Sequence, residues 1–163
     1  MKCECEGQLN LFQEVKNVKK SNVFIKRGDC LELMNDIPDN SIDMILCDLP
    51  YGVLNRKNNR AKWDMVIPFD KLWQQYERII KENGAILLFS QGMFSADLMN
   101  SNRKLWRYNL IWKKGNRVSG FLNANRQPLR NHEDICVFFK KQSTYNPQMV
   151  VGEKNNKKGG ARS

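Results

Sequence analysis

The stretch Asp48-Leu49-Pro50-Tyr51-Gly52 groups the residue types in this 163-residue sequence best suited to chemistry. A carboxylate such as that of Asp48 accepts hydrogen bonds from several directions. Pro50 restricts Leu49 to an extended backbone, which helps aim the Leu49 carbonyl. Tyr51 offers a flat face on which a planar ring can stack. As bare letters the string is weak, since any strand-terminating turn can supply it. Its position says more. It follows the apolar run of residues 42–47 and opens residues 48–64, which lack apolar periodicity. A loop that long in a compact domain is usually functional or disordered.

The elements that must hold this group are legible as changes of period. Val23-Phe24-Ile25 reads as a short strand ending at Gly28-Asp29. Leu31, Leu33, Met34 and Ile37 recur at helical spacing, predicting a short helix over residues 30–36 that stops before Pro38. Asp39-Asn40-Ser41 is a turn. Residues 42–47 are apolar except for Asp43, as in a strand buried on both faces of a parallel sheet. Pro68 opens a helix with Leu72, Tyr76, Ile79 and Ile80 on one face, ending at Asn83-Gly84. Residues 85–89 form a strand, 93–100 a helix, 105–112 a strand with Trp112 in the core, and 135–139 a last strand. Between these last two strands lies a second polar loop, residues 115–131, carrying Arg117, Arg126 and Arg130, with Arg107 just upstream. The alternation predicts an α/β fold, doubly wound around a mainly parallel sheet. Ligands in such folds bind beyond the carboxyl ends of the strands, where both long loops fall.

Composition narrows the class. The chain is 41% hydrophobic and 27% charged, ordinary values for a soluble globular domain. No segment approaches the ~18 apolar residues of a membrane span, and the opening residues have no signal-peptide core, so a cytoplasmic location is expected. Cys3, Cys5, Cys30, Cys47 and Cys136 are dispersed and odd in number, which argues against disulfides; Cys30, Cys47 and Cys136 lie in apolar stretches and read as small hydrophobes. With His132 the only histidine and no second cysteine pair, no metal site is expected. The net charge of +10 points to a polyanionic partner, part of the excess lying in the run Lys154 to Arg162 of the polar basic tail, residues 148–163, while residues 1–21 read as a polar, lysine-rich arm.

Two stretches carry a family resemblance: Ile25-Lys26-Arg27-Gly28-Asp29-Cys30-Leu31-Glu32, and the run from Ser41 through Asp48-Leu49-Pro50-Tyr51-Gly52. Three later pieces follow in order: Asn83-Gly84-Ala85-Ile86-Leu87-Leu88-Phe89, Ile111-Trp112-Lys113-Lys114, and His132-Glu133-Asp134-Ile135-Cys136-Val137-Phe138-Phe139-Lys140. Together, over roughly residues 23–147, the sequence resembles amino-group DNA methyltransferases of the permuted class, whose catalytic motif precedes the cofactor motif. The resemblance implies a Rossmann-like methyltransferase fold, S-adenosylmethionine as cofactor and double-stranded DNA as partner. Residues 22–147 would be the catalytic part of the domain.

An exocyclic amine is a poor nucleophile because its lone pair is delocalised into the ring. Acceptors for its two N–H hydrogens favour a pyramidal nitrogen; Asp48 supplies one and the Leu49 carbonyl the other. The amine then attacks the sulfonium methyl directly, with the site supplying orientation and charge placement. Tyr51 stacks on the extruded base. The family more often has proline where Leu49 stands, a departure that touches loop rigidity and leaves the carbonyl in place. An aspartate at the first position implies adenine rather than cytosine. Ring-carbon methylation would need a cysteine nucleophile, usually after proline, and no Pro-Cys occurs.

By resemblance Asp29 contacts the adenosine of the cofactor; by local logic it caps the helix that follows, and it can do both. Asn116, Arg117, Asn123, Asn125, Arg126 and Arg130 could contact phosphates and base edges, or form a solvated polar loop. His132-Glu133 reads as structural. The family's aromatic-x-Gly-x-Gly cofactor loop has no counterpart here, so the fold is expected to be incomplete, with an unpaired sheet edge and part of its helical cover missing, and a complementary methyltransferase half is an expected partner. A non-catalytic nucleic-acid-binding remnant and an RNA methyltransferase are the alternatives.

If the basic surface binds phosphates, affinity for duplex DNA falls steeply with salt. Charge reversal at Arg117, Arg126 or Arg130 should then lower the log–log slope by about one for each arginine on a phosphate. Titration of labelled duplex across a salt series checks this; salt-independent affinity would remove the phosphate reading.

Overall fold

The computed structural model describes residues 23–54, 61–115, 117–149 and 152. The polar arm, nearly all of the basic tail, Cys3, Cys5 and Asn116 therefore lie outside the described residues. Four strands, β1 (Ile42–Asp48), β2 (Ile80–Ser90), β3 (Trp106–Lys113) and β4 (His132–Phe138), form one sheet in the order β1-β2-β4-β3. β1 and β2 are parallel, while β4 runs antiparallel to both β2 and β3. Three strands thus share one direction, as the α/β reading expects, with β4 inserted against them.

Three helices accompany the sheet. α1 (Cys30–Leu33) continues as a 3-10 turn over Met34–Asp36. α2 (Phe69–Ile79) buries Leu72, Tyr76 and Ile79, as expected from their spacing, and Trp73 beside them. α3 (Met93–Ser101) buries Phe94 and Leu98. These side chains pack on the face carrying Ile86, Leu88, Cys136 and Phe138, all fully buried. Trp73 lies 4.7 Å from the Phe138 ring, centroid to centroid.

The end of α2 is tied to the entry of β1. Arg78 donates from Nη1 to the Ile37 carbonyl at 2.8 Å and to Asp39 Oδ1 at 2.5 Å, and from Nη2 to the Met34 carbonyl at 2.7 Å. Main-chain bonds from Asn40 to Arg78 and from Ser41 to Ile79 complete the clasp. A one-residue slip of β1 would move every one of its side chains to the opposite face. The clasp and the buried face together hold the register.

Several expectations are corrected. Val23, Phe24 and Ile25 are unpaired and exposed rather than a strand; three residues form too few ladder bonds to define one without a sheet edge beside them. α2 ends at Ile79, not at Asn83-Gly84, because Ile80 is already extended and begins β2. Ile80 is buried from the strand, so it matched the helical stripe for a different reason. Register shifts between Ile42 and Met44, opposite Ile80 and Ala85, and the extra residues of β2 bulge there. Gly84 closes that bulge: a Cβ on it would lie 2.8 Å from Ile80 Cδ1 and 2.9 Å from the Asp43 carbonyl oxygen.

One face of the sheet has no helix over it among the described residues. The row from Leu46 through Leu87 and Val137 to Tyr108 crosses all four strands; Val137 is buried within it, whereas Met44, Leu46, Tyr108, Leu110 and Trp112 are exposed. Trp112 is 47% exposed, with its ring edge-on to Phe89, so it stands on this open face and not in the core. Cys30 is likewise exposed, whereas Cys136 is buried. No helix of the described residues is long and apolar enough to cross a membrane.

The asymmetry has a measurable consequence. Leu98→Ala should cost about 2–5 kcal/mol, the range for emptying a buried leucine site. Leu46→Ala, on the open face, should cost only about 0.5 kcal/mol, as surface changes do. Urea unfolding of both variants checks the contrast, and equal losses would mean that the second face is covered.

Candidate active site

Parallel pairing brings Asp48 to the carboxyl end of β1, opposite Phe89 of β2. The chain then leaves the sheet through Leu49, whose side chain is buried in the core and anchors the turn. Asp48 is exposed. Its Oδ1 accepts a hydrogen bond from the Tyr51 hydroxyl at 2.9 Å. The Tyr51 ring stacks on Phe94 at 4.8 Å between centroids and 29° between planes. Tyr51 is therefore fixed at its hydroxyl and on one ring face. Burial pushes the Tyr51 phenol far above its usual range, and the bond to Asp48 adds to the shift. A phenol that stays protonated keeps donating to Asp48.

Sequence reasoning missed Asp64. It is only 3% exposed and accepts from the Gly52 amide at 2.9 Å and the Leu54 amide at 2.6 Å. Burial pushes its carboxyl up, but the amides of Leu54, Gly52, Tyr51 and Val53 outweigh this and hold it below the usual carboxylate range. Gly52 has φ +70°, and a Cβ there would meet Val66 Cγ2 at 2.9 Å, so only glycine suits this turn. The one signal was a lone acidic residue among Trp63, Met65, Val66 and Ile67.

A second missed group positions Phe94. Ser95, beside it on α3, donates to Asp134 Oδ2 of β4 at 3.0 Å and lies 3.0 Å from Ser90 Oγ at the end of β2. Isolated serines gave no sign of this link.

Of the expected nucleic-acid contacts, the structure brings some near Tyr51 and leaves others apart. Asn123 and Arg130 line a cavity of about 560 Å³ with Tyr51, Gln91 and Phe94. Arg130 is held there by paired main-chain bonds to Ser119. Arg117 lines a separate cavity beside Trp112 and Lys114. Asn125 and Arg126 are exposed and line neither. The loop is not wholly irregular, since Phe121–Asn123 forms a 3-10 turn.

Asp29 caps α1, its Oδ1 accepting from the Leu31 amide at 2.8 Å. With Pro50, Trp63 and Met65 it lines a cavity of about 330 Å³, so Pro50 links this cavity to the Asp48 turn. His132 is exposed. Glu133 pairs with Lys114, whose ammonium lies 5.4 Å from the Trp112 ring centre, consistent with a structural role for this pair. Among the described residues no group of three or more His, Cys, Asp or Glu is placed to hold a metal.

The chain thus combines an α/β sheet with an exposed carboxylate and an anchored aromatic ring at the carboxyl end of a parallel strand. Solved structures share the fold: the PvuII DNA methyltransferase (cytosine-N4-specific), TM-score 0.55 and 16% identity over 71% of this chain and 48% of that one; and M1.HpyAVI in complex with SAM, TM-score 0.52 and 18% identity over 79% and 60%. Residues 42–163 match the DNA methylase family N6_N4_Mtase, and the chain belongs to that family. Relatives include the Type II methyltransferases M.HinfI of Haemophilus influenzae, 32% identical over 118 residues, 60% of this chain and 33% of the relative, and M.BglII of Bacillus subtilis, 27% identical over 130 residues, 71% and 35%. The chain thus spans about a third of the length of these relatives.

An ordinary tyrosine is half ionised near pH 10. Tyr51, with its raised pKa, stays protonated there. Absorbance titration to pH 10 should therefore give the same phenolate signal in the parent and in Tyr51→Phe. A loss of about half a tyrosine equivalent in the variant would show that Tyr51 titrates normally.

Proposed function

We propose that this chain carries the catalytic side of a DNA methyltransferase acting on the exocyclic amine of an extruded base, adenine in preference to cytosine. The observation that carries the reading is Asp48 at the end of β1, one oxygen bonded to an anchored Tyr51 and the other without a protein partner among the described residues. Asp48 accepts one N–H of the amine and the Leu49 carbonyl accepts the other, while Tyr51 stacks on the ring. Two acceptors on one amine disfavour delocalisation of its lone pair, and preorganised groups do this without reorganising during reaction. The preference for adenine rests on the aspartate at the first motif position.

The residues at the Asp29 cavity suit S-adenosylmethionine. Asp29 has one oxygen engaged in capping and the other without a partner among the described residues, available to a ribose hydroxyl, and Pro50, Trp63 and Met65 offer an apolar wall for an adenine ring. When bound, this cofactor supplies an electrophilic methyl on a sulfonium centre. Double-stranded DNA is the proposed partner, held through phosphates by the arginine-bearing loop. The sheet face left bare and the outer edge of β1 left unpaired among the described residues support a complementary methyltransferase half as a further partner, one that brings the glycine loop. The two relatives are Type II methyltransferases by name, which supports a role in restriction-modification in the cytoplasm.

Transfer of labelled methyl groups to duplex DNA, by the chain alone and joined to such a half, tests the assignment. Asp48→Ala should reduce the rate at least about 10²–10³-fold, the loss typical of removing a preorganised polar group. DNA affinity should survive. Tyr51→Phe should keep part of the activity and Tyr51→Ala little. Near-parental transfer by Asp48→Ala would sink the catalytic assignment.

A further inference from the structure

The described residues bury one carboxylate that the chemistry above does not use. Asp64 is sealed from solvent, yet no lysine or arginine among the described residues pairs with it. A buried charge of this kind is costly unless dipoles compensate it. Here the compensation is main chain, and the bonds span twelve residues to Gly52 and ten to Leu54. Those amides belong to the turn immediately after Tyr51.

We propose that Asp64 is a positioning residue for the base site: by holding the amides of Gly52 and Leu54 it keeps the turn behind Tyr51 in the shape that presents the ring and the Leu49 carbonyl to the base. The inference rests on the base-site reading above. Tyr51 is gripped from three sides. Phe94 stacks on the ring, Asp48 takes the hydroxyl, and Asp64 holds the amides that follow. Val66, two residues beyond Asp64, packs against Gly52 and closes the same contact. Without Asp64 the first two contacts would still orient the ring, but the backbone joining them would be free to relax. Small misplacements of this size matter, since about 1 Å can cost on the order of 10²-fold in reactivity.

A positioning role differs from a structural one in what it leaves intact. The arginines that meet phosphates lie on another loop, so loss of Asp64 should spare DNA affinity and lose the held base. The probe is a short duplex bearing 2-aminopurine opposite an abasic site, a base that is easily extruded whatever the recognition sequence. Fluorescence on titration with the full chain reads capture of the base, and anisotropy of an end label reads affinity. Asp64→Ala should bind within about twofold of the parent but capture the base about tenfold less well, as Tyr51→Ala does. Asp64→Asn, with a single acceptor oxygen, should fall between, and it keeps the test usable if the alanine variant does not fold. Amide exchange should show Gly52 and Leu54 protected in the parent and released in Asp64→Asn, with protection in β1 and β2 unchanged.

Undiminished capture in Asp64→Asn despite released amides would overturn the proposal. So would a parallel loss of capture and affinity, which is the mark of a purely structural residue. A parent chain that binds the duplex without any fluorescence response would instead remove the base-site reading, and this inference with it.

Discussion

Most of what the chain presents to a ligand depends on one pairing, that of β1 with β2. Five consecutive residue pairs from Met44–Ala85 to Asp48–Phe89 run in parallel register. A parallel pair cannot be made by a hairpin and needs a crossover, which α2 supplies. Because α2 packs on one face and Arg78 clasps the turn before β1, the register is set at both ends of the crossover. Asp48 then emerges at the carboxyl edge on the face away from the helices. Slipped by one residue, the same carboxylate would turn to the helix-covered face.

Two aspartates sixteen positions apart show how environment divides labour between identical side chains. Asp48 is exposed and keeps an oxygen free, which suits a group that must meet a substrate. Asp64 is buried and saturated by main-chain amides, which suits a group that must hold a shape. The basic character lies elsewhere. Asn123 and Arg130 reach the cavity beside Tyr51, while Arg117 lies apart and Arg126 is exposed on the same long loop. Phosphate contacts set where a nucleic acid sits and carry no sequence information by themselves, and of these arginines only Arg130 shares the Tyr51 cavity among the described residues.

The sheet is finished on one side only. Its covered face holds the core cluster of α2, α3, β2 and β4, while the row Leu46, Leu87, Val137, Tyr108 crosses the opposite face. Doubly wound sheets bury both faces, and their strands read as continuous apolar runs for that reason. The run in β1 has that character although Met44 and Leu46 are exposed among the described residues. This leaves, among the described residues, an apolar surface that composition alone would not foretell.

Local sequence carried the alternation of elements, most of the α2 stripe, the placement of Asp48 to Tyr51 after an apolar strand, and Asp29 as a helix cap. These are local facts, written in period and in residues three or four apart. Burial of that strand on both faces was expected and is not found, since Met44 and Leu46 are exposed. The sequence could not show that β4 inserts antiparallel between β2 and β3, because strand order depends on which edges meet after the chain has folded back. It misplaced the end of α2, since Ile80 satisfies a helical stripe and a buried strand equally well. Trp112 was misjudged because burial of an apolar residue depends on whether anything covers its face. Asp64 and the Ser90, Ser95 and Asp134 link were invisible for the same reason: hydrogen bonds at separations of five, ten, twelve and thirty-nine residues share no period, and it is the folded packing that sets which buried polar groups meet.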